Sequence, residues 1–151
     1  MTKFFATSLL FFFIHVGAHP VPDIPVSGKF QSNGNTTISV EIDTRCFAED
    51  PEKVPFFTVG KFNKINTTAK KNLISEATNM IQKSLELRFG NHKWFTPDFQ
   101  MKFINREGGE LSEERLVFIE GKYDTRLSLD SDFYQIRSKQ SAPYDLIFTN
   151  Q

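Results

Sequence analysis

Sulfur is what this 151-residue chain has least of: it carries one cysteine, Cys46. A single thiol forms no intramolecular disulfide, and it cannot supply the paired cysteines of a structural zinc site. Histidine is nearly as scarce, at three residues, so the usual imidazole-rich metal sites and Cys/His catalytic pairs are out of reach. An excess of one charge is also missing, since 18 Lys and Arg balance 18 Asp and Glu. The basic surplus that marks most nucleic-acid and membrane-surface binders is therefore absent from the total. After residue 18 no apolar run approaches the length of about 20 residues that spans a bilayer.

Phenylalanine is abundant, at 17 residues, in a composition that is otherwise ordinary for a globular protein. This length suits one domain. The first residues read as an address. Lys3 precedes an apolar cluster of Phe4, Phe5, Leu9, Leu10, Phe11, Phe12, Phe13 and Ile14, and the small residues Gly17 and Ala18 close it. This is the layout of a secretory signal peptide, over residues 1–18. It predicts a secreted, extracellular product with no membrane attachment after cleavage. Residues 19–37 hold Pro20, Pro22 and Pro25 and are expected to form a flexible, Pro-rich N-terminal segment. Residues 38–151 are then the folded domain.

Three readings are open for Cys46: a buried apolar thiol, an intermolecular disulfide, or a final compartment that is reducing. Asn35 and Asn66 each begin an Asn-x-Thr triplet and are candidate glycosylation positions.

Ile38, Val40 and Ile42 alternate with Ser39, Glu41 and Asp43, which is strand periodicity. Residues 54–59 resume it as a second strand. Leu73, Ile74, Ala77, Met80, Ile81, Leu85 and Arg88 recur at helical spacing, which predicts one amphipathic helix over about residues 68–89. Asn66, Thr67 or Thr68 is placed to cap it, and Gly90 to stop it. Period two returns at Phe99, Met101 and Phe103. Further short strands are expected at 116–119, 125–129, 133–137 and 144–149, with turns at Gly108 and Gly109, at Glu120, Gly121 and Lys122, and at 130–132. The class is α+β: one amphipathic helix packed on an antiparallel sheet in a single small domain.

Chemistry is sparse. There is no Gly-rich phosphate loop, no nucleophile elbow and no second His at metal-ligand spacing, so neither cofactor nor metal is expected. His92 and Arg115 form at most a vestigial polar site, with acids at Glu107, Glu110, Glu113, Glu114 and Glu120 along the later strands. Trp94, Phe95, Tyr123, Tyr134 and Arg137 offer the aromatic-plus-Arg composition of interface hot spots.

The order of elements, with a Cys among the early strands, one helix and then a run of strands, resembles the guanyl-specific ribonuclease fold. It is also similar to the ribonuclease-like secreted effectors of plant-pathogenic fungi. The local match is Phe133, Tyr134, Gln135 and Ile136, then Ser141 to Phe148 with Pro143 and Asp145. The resemblance implies a catalytic Glu where this chain has Gln135, a catalytic Arg where it has Leu146, and a catalytic His in a strand beyond Gln151. A second register supplies Arg115 but sets Lys102 near the Glu position. The catalytic set is incomplete in both, which leans away from an enzyme. The leading expectation is a secreted, non-enzymatic effector that binds a host protein, with later entry into host cells as one destination. The alternatives are an RNA-binding degenerate ribonuclease and a cystatin-like protease inhibitor, although the inhibitors' Gln-Val-Gly hairpin signature is missing.

Overall fold

The computed structural model describes residues 22–105, 115–127, 133–139 and 144–150. Residues 1–18, read above as a signal peptide, Glu107, Glu110, Glu113 and Glu114, the turns expected at Gly108 and at 130–132, and residues 141–143 lie outside them. Alternation builds most of the strands. In β2, Asn35–Asp43, the side chains of Thr36, Ile38, Val40 and Ile42 are buried, Thr37, Ser39 and Glu41 between them are partly exposed, and the strand ends on the buried Asp43. The other strands are β1 (Ile24–Phe30), β3 (Leu85–Phe89), β4 (Gln100–Asn105), β5 (Val117–Arg126), β6 (Tyr134–Ser138) and β7 (Leu146–Asn150). Among the described residues, two helices, α1 (Val59–Lys64) and α2 (Thr67–Ser84), and a 3-10 turn at Thr44–Phe47 complete the set.

Five strands form a mixed sheet in the order β4-β5-β2-β1-β7, and β3 and β6 form a separate antiparallel ribbon. The expectation of an all-antiparallel sheet is corrected at β7, which runs parallel to β1 with Ile24 beside Leu146 and Val26 beside Phe148. The inner sheet face, α2 and the inner ribbon face share one core. Ile24, Val26, Ile38, Val40, Ile42 and Ile119 come from the sheet, Ala77 and Ile81 from α2, and Leu85, Leu87 and Phe89 from the ribbon. Tyr134 stacks on Phe30 with ring centroids 4.0 Å apart, which joins ribbon to sheet.

Four local expectations change. Residues 24–30 lie in the stretch read as a flexible tail, yet they form an interior strand. Pro25 is tolerated because the β1–β2 ladder begins at Val26, so the missing N–H has no β2 partner to lose. The helix ends at Ser84, not near 89. The Ser84 hydroxyl donates to the Met80 carbonyl, and Leu85 turns extended at φ −124° and ψ 139°. Leu85, Leu87 and Phe89 then alternate with Glu86 and Arg88 as a strand.

The strand expected at 54–59 is instead a loop leading into α1, with the Thr58 hydroxyl accepting from the Lys61 amide. Among the described residues its only ladder-like contact is the bridge between Thr58 and Leu116. Finally, Gly121 is a site of close packing and not a turn. A Cβ there would stand 2.7 Å from Met101 Sδ and 2.8 Å from Val40 Cγ2, so β5 runs straight through it.

Candidate interaction site

The outward face of the ribbon collects charge and one indole. Register sets Glu86 opposite Arg137 and Arg88 opposite Gln135. Because Leu85, Leu87 and Phe89 point into the core, these four side chains point out together. After the turn at Gly90, which sits at φ +51°, the chain returns along β3. Phe95 and Leu87 exchange backbone hydrogen bonds of 2.8 and 2.9 Å. That pairing sends the Phe95 ring inward with Leu87 and leaves Trp94 on the outward face.

There the Trp94 ring lies against two guanidinium groups, with Arg137 Cζ 4.1 Å and Arg88 Cζ 4.8 Å from its centroid. Each arginine is also held from the side. Arg137 Nε and Nη2 donate to Glu86 Oε2 at 2.9 and 2.8 Å. Arg88 Nε donates to Gln135 Oε1 at 2.7 Å, and its Nη2 reaches the same oxygen. Lys139 closes the end of the face: its Nζ donates to the Gln82 carbonyl at 2.6 Å and to Thr96 Oγ1 at 2.8 Å. An open groove lies among Glu86, Arg137, Ser138 and Lys139. Among the described residues, one carboxylate thus faces two arginines and a lysine on this face.

The other residues singled out from sequence are distributed differently. Phe95 packs against Phe89 and Tyr123, and Tyr123 against Phe99, so Phe95 and Tyr123 serve the core. Tyr134 is half-buried under Phe30. Trp94 and Arg137 are brought together; the other three do not join them on the outward face. His92 is exposed in the turn after β3. Arg115 precedes β5 and accepts a hydrogen bond from the Val59 amide through its carbonyl. The two sit on different elements, with no contact between them among the described residues. Gln135 and Leu146, the positions the ribonuclease resemblance would use, lie on strands of different sheets.

Sequence reasoning missed Glu86 and Arg88 as site residues. The signal was available in their alternation with Leu85, Leu87 and Phe89, which helical spacing obscured. Asn35 and Asn66 are both exposed, and Asn66 Oδ1 caps α2 by accepting from the Ala69 amide at 2.8 Å.

Cys46 is buried at 3% exposure, with Sγ 3.7 Å from the Pro22 carbonyl. Burial, aided by the Asp43 carboxylate, pushes its thiol up to about 12. It is an inert thiol at neutral pH. Among the described residues no three His, Cys, Asp or Glu side chains gather as a metal site. No protein-family model, curated protein or solved structure matches the chain.

Proposed function

We propose that this protein is a secreted, non-catalytic recognition protein that binds a protein partner through the outward face of the β3–β6 ribbon. The observation that carries this reading is the Trp94 ring held between its own chain and the guanidinium groups of Arg88 and Arg137. Tryptophan and arginine are the residues on which interface energy concentrates. Here both arginines are fixed by second partners, so little side-chain entropy remains to be lost on docking. The guanidinium edges and Lys139 suit a partner surface that presents carboxylates.

The leader-like residues 1–18 support release from the cell. The resemblance to ribonuclease-like fungal effectors supports a host protein as the partner. RNA is the less favoured ligand, because base stacking needs an open aromatic face and the Trp94 ring is already engaged by two cations. The inhibitor reading has no feature in this face that favours it.

The test is a binding comparison of wild type, Trp94→Ala and Arg88→Ala, run as pull-downs from host extract and as gel shifts on single-stranded RNA across a salt series. We expect retention of a discrete protein partner by wild type, loss of it in both variants, and no RNA shift at physiological salt. Removing Trp94 should cost about 1 kcal/mol of stability, the scale of an exposed cation–π contact. Salt-dependent RNA binding that both variants abolish would replace the protein-partner reading with the RNA-binding one.

A further inference from the structure

The mixed sheet ends in two unlike edges. At one end β4 carries Lys102, whose charge discourages pairing with another chain, as edge strands commonly do. At the other end is β7, residues 146–150, which reads Leu-Ile-Phe-Thr-Asn. It holds no charge, no proline and no bulge, and among the described residues nothing pairs with its outer side. Ile147 is 46% exposed and Phe148 43% exposed, on opposite faces of the sheet. Among the described residues the other large exposed apolar side chains, Val54, Phe56 and Phe133, lie in loops, and Phe56 has Arg45 stacked on it at 3.8 Å.

The backbone says which groups are free. The Ile24 amide donates to the Asp145 carbonyl at 3.0 Å, and Ile24 is the ladder partner of Leu146. The hydrogen-bonding groups of Asp145, Ile147 and Thr149 therefore point toward β1. By alternation, those of Leu146, Phe148 and Asn150 point away from the sheet.

We infer that β7 is a self-association edge, at which two copies of this chain pair antiparallel about a two-fold axis through Phe148. In that register Phe148 meets Phe148 of the second copy, and Leu146 meets Asn150. The outward backbone groups then satisfy each other in hydrogen-bonded pairs. Ile147 falls opposite Thr149 on the outer face. The two Phe148 rings pair on the inner side, the kind of cross-strand aromatic contact that stabilises a sheet.

No charge is set against a like charge anywhere along the strand. The symmetry also closes the assembly, because the joined sheet ends in two β4 edges guarded by Lys102. A foreign extended peptide could use the same backbone groups. The second copy, however, supplies an aromatic opposite Phe148 and a neutral strand by its own symmetry. This surface is separate from the ribbon face and does not depend on its role.

The test uses the purified chain in sedimentation equilibrium over a concentration series, with wild type, Phe148→Lys and Lys102→Ala. Register is read from Phe148→Cys and Thr149→Cys, each in a Cys46→Ala background, on non-reducing gels. A hydrogen-bonded antiparallel pair sets Cα atoms about 5.5 Å apart, within the span of about 4.4–6.8 Å that a disulfide accepts. We expect a monomer–dimer equilibrium in wild type and Lys102→Ala, at least a tenfold weaker dimer in Phe148→Lys, and crosslinking through position 148 but not 149. A wild type that stays monomeric, a dimer untouched by Phe148→Lys, or crosslinking that is equal at the two positions or favours 149 would overturn the proposal. The cysteine pair keeps it falsifiable if Phe148→Lys fails to fold.

Discussion

The mixed sheet and the ribbon share a core but present different outer faces. On the sheet, two outward lysines share one carboxylate: Lys102 and Lys122 lie 3.2 and 3.4 Å from the Glu120 carboxylate, and the Thr37 hydroxyl donates to Asp124. On the ribbon, Glu86 pairs with Arg137 while Arg88 and Lys139 are held by neutral oxygens, and an indole lies among them. The inner faces differ little, since Ile119 and Leu85 are both fully buried. Both regions bury side chains in the shared core, the sheet more of them than the ribbon. Among the described residues, the half-buried Trp94 indole between two guanidinium groups is what sets the ribbon's outer face apart.

The largest effects should come where the two regions are alike. Ile119→Ala in the sheet and Leu87→Ala in the ribbon each remove a fully packed side chain and should cost about 2–5 kcal/mol. Against a typical total of about 5–15 kcal/mol, either is a severe loss. Urea melts would show it as a lower midpoint with unchanged slope. If Leu87→Ala were nearly neutral, the ribbon would be an appendage and the shared core would fail as an idea. Next in size is Gly121→Ala, for which there is no ribbon counterpart. The added methyl would press on Val40 Cγ2 and Met101 Sδ. Met101 can swing away but Val40 is buried, so a cost of about 1–3 kcal/mol is expected from overpacking. Met101→Ala in the same chain should recover part of it.

Much of the fold is legible in the sequence, and the losses have physical reasons. The strands at 38–43 and 99–104 follow from simple alternation, and the start of α2 follows from the run of capping residues at 66–68, of which Asn66 is the cap. Leu85 and Arg88 satisfy both helical and strand spacing, so β3 was absorbed into the helix until Ser84 and Leu85 broke it. Pro25 hid β1, because a proline is penalised only where its N–H is wanted, and that depends on where the β2 ladder begins. Of the site, Trp94 and Arg137 were readable by residue type. Their assembly with Glu86 and Arg88 was not, since β3 pairs with a strand about fifty residues away and no local pattern encodes that choice.

Alkaline pH should weaken the molecule from the sheet side. An unfolded chain releases the Cys46 proton at the ordinary thiol value of 9.0, whereas the folded chain holds it until about 12. Between those values the unfolded state binds fewer protons, so stability falls as pH rises through 9. Tyr144, whose hydroxyl donates to the Cys46 carbonyl, is also raised by burial and adds to the fall above its usual 10. Wild type should lose stability steadily from pH 9 upward. Cys46→Ala, though weaker at pH 7, should lose less over the same range. Parallel curves for the two proteins would mean that the thiol ionises freely and that the end of the sheet around the 3-10 turn is open.

The smallest stability effects should fall on the outward faces, and there the two regions should part. Lys102→Ala breaks an ion pair whose lysine is 59% exposed. Such pairs are worth about 0–1 kcal/mol, and Glu120 keeps Lys122 as a second partner, so a near-zero change in melting midpoint is expected. Arg137→Ala should cost about 1 kcal/mol, because it removes a doubly donated bond to Glu86 and the closer of the two cations on Trp94. The decisive reading is the double variant Trp94→Ala, Arg137→Ala. If ring and guanidinium act as one unit, the double variant costs less than the sum of the singles, whereas Lys102→Ala adds independently to either. Coupling on the ribbon without coupling to the sheet would mean that the Trp94 surface is held rigid before any partner arrives. Strict additivity throughout would reduce it to a set of unrelated surface contacts.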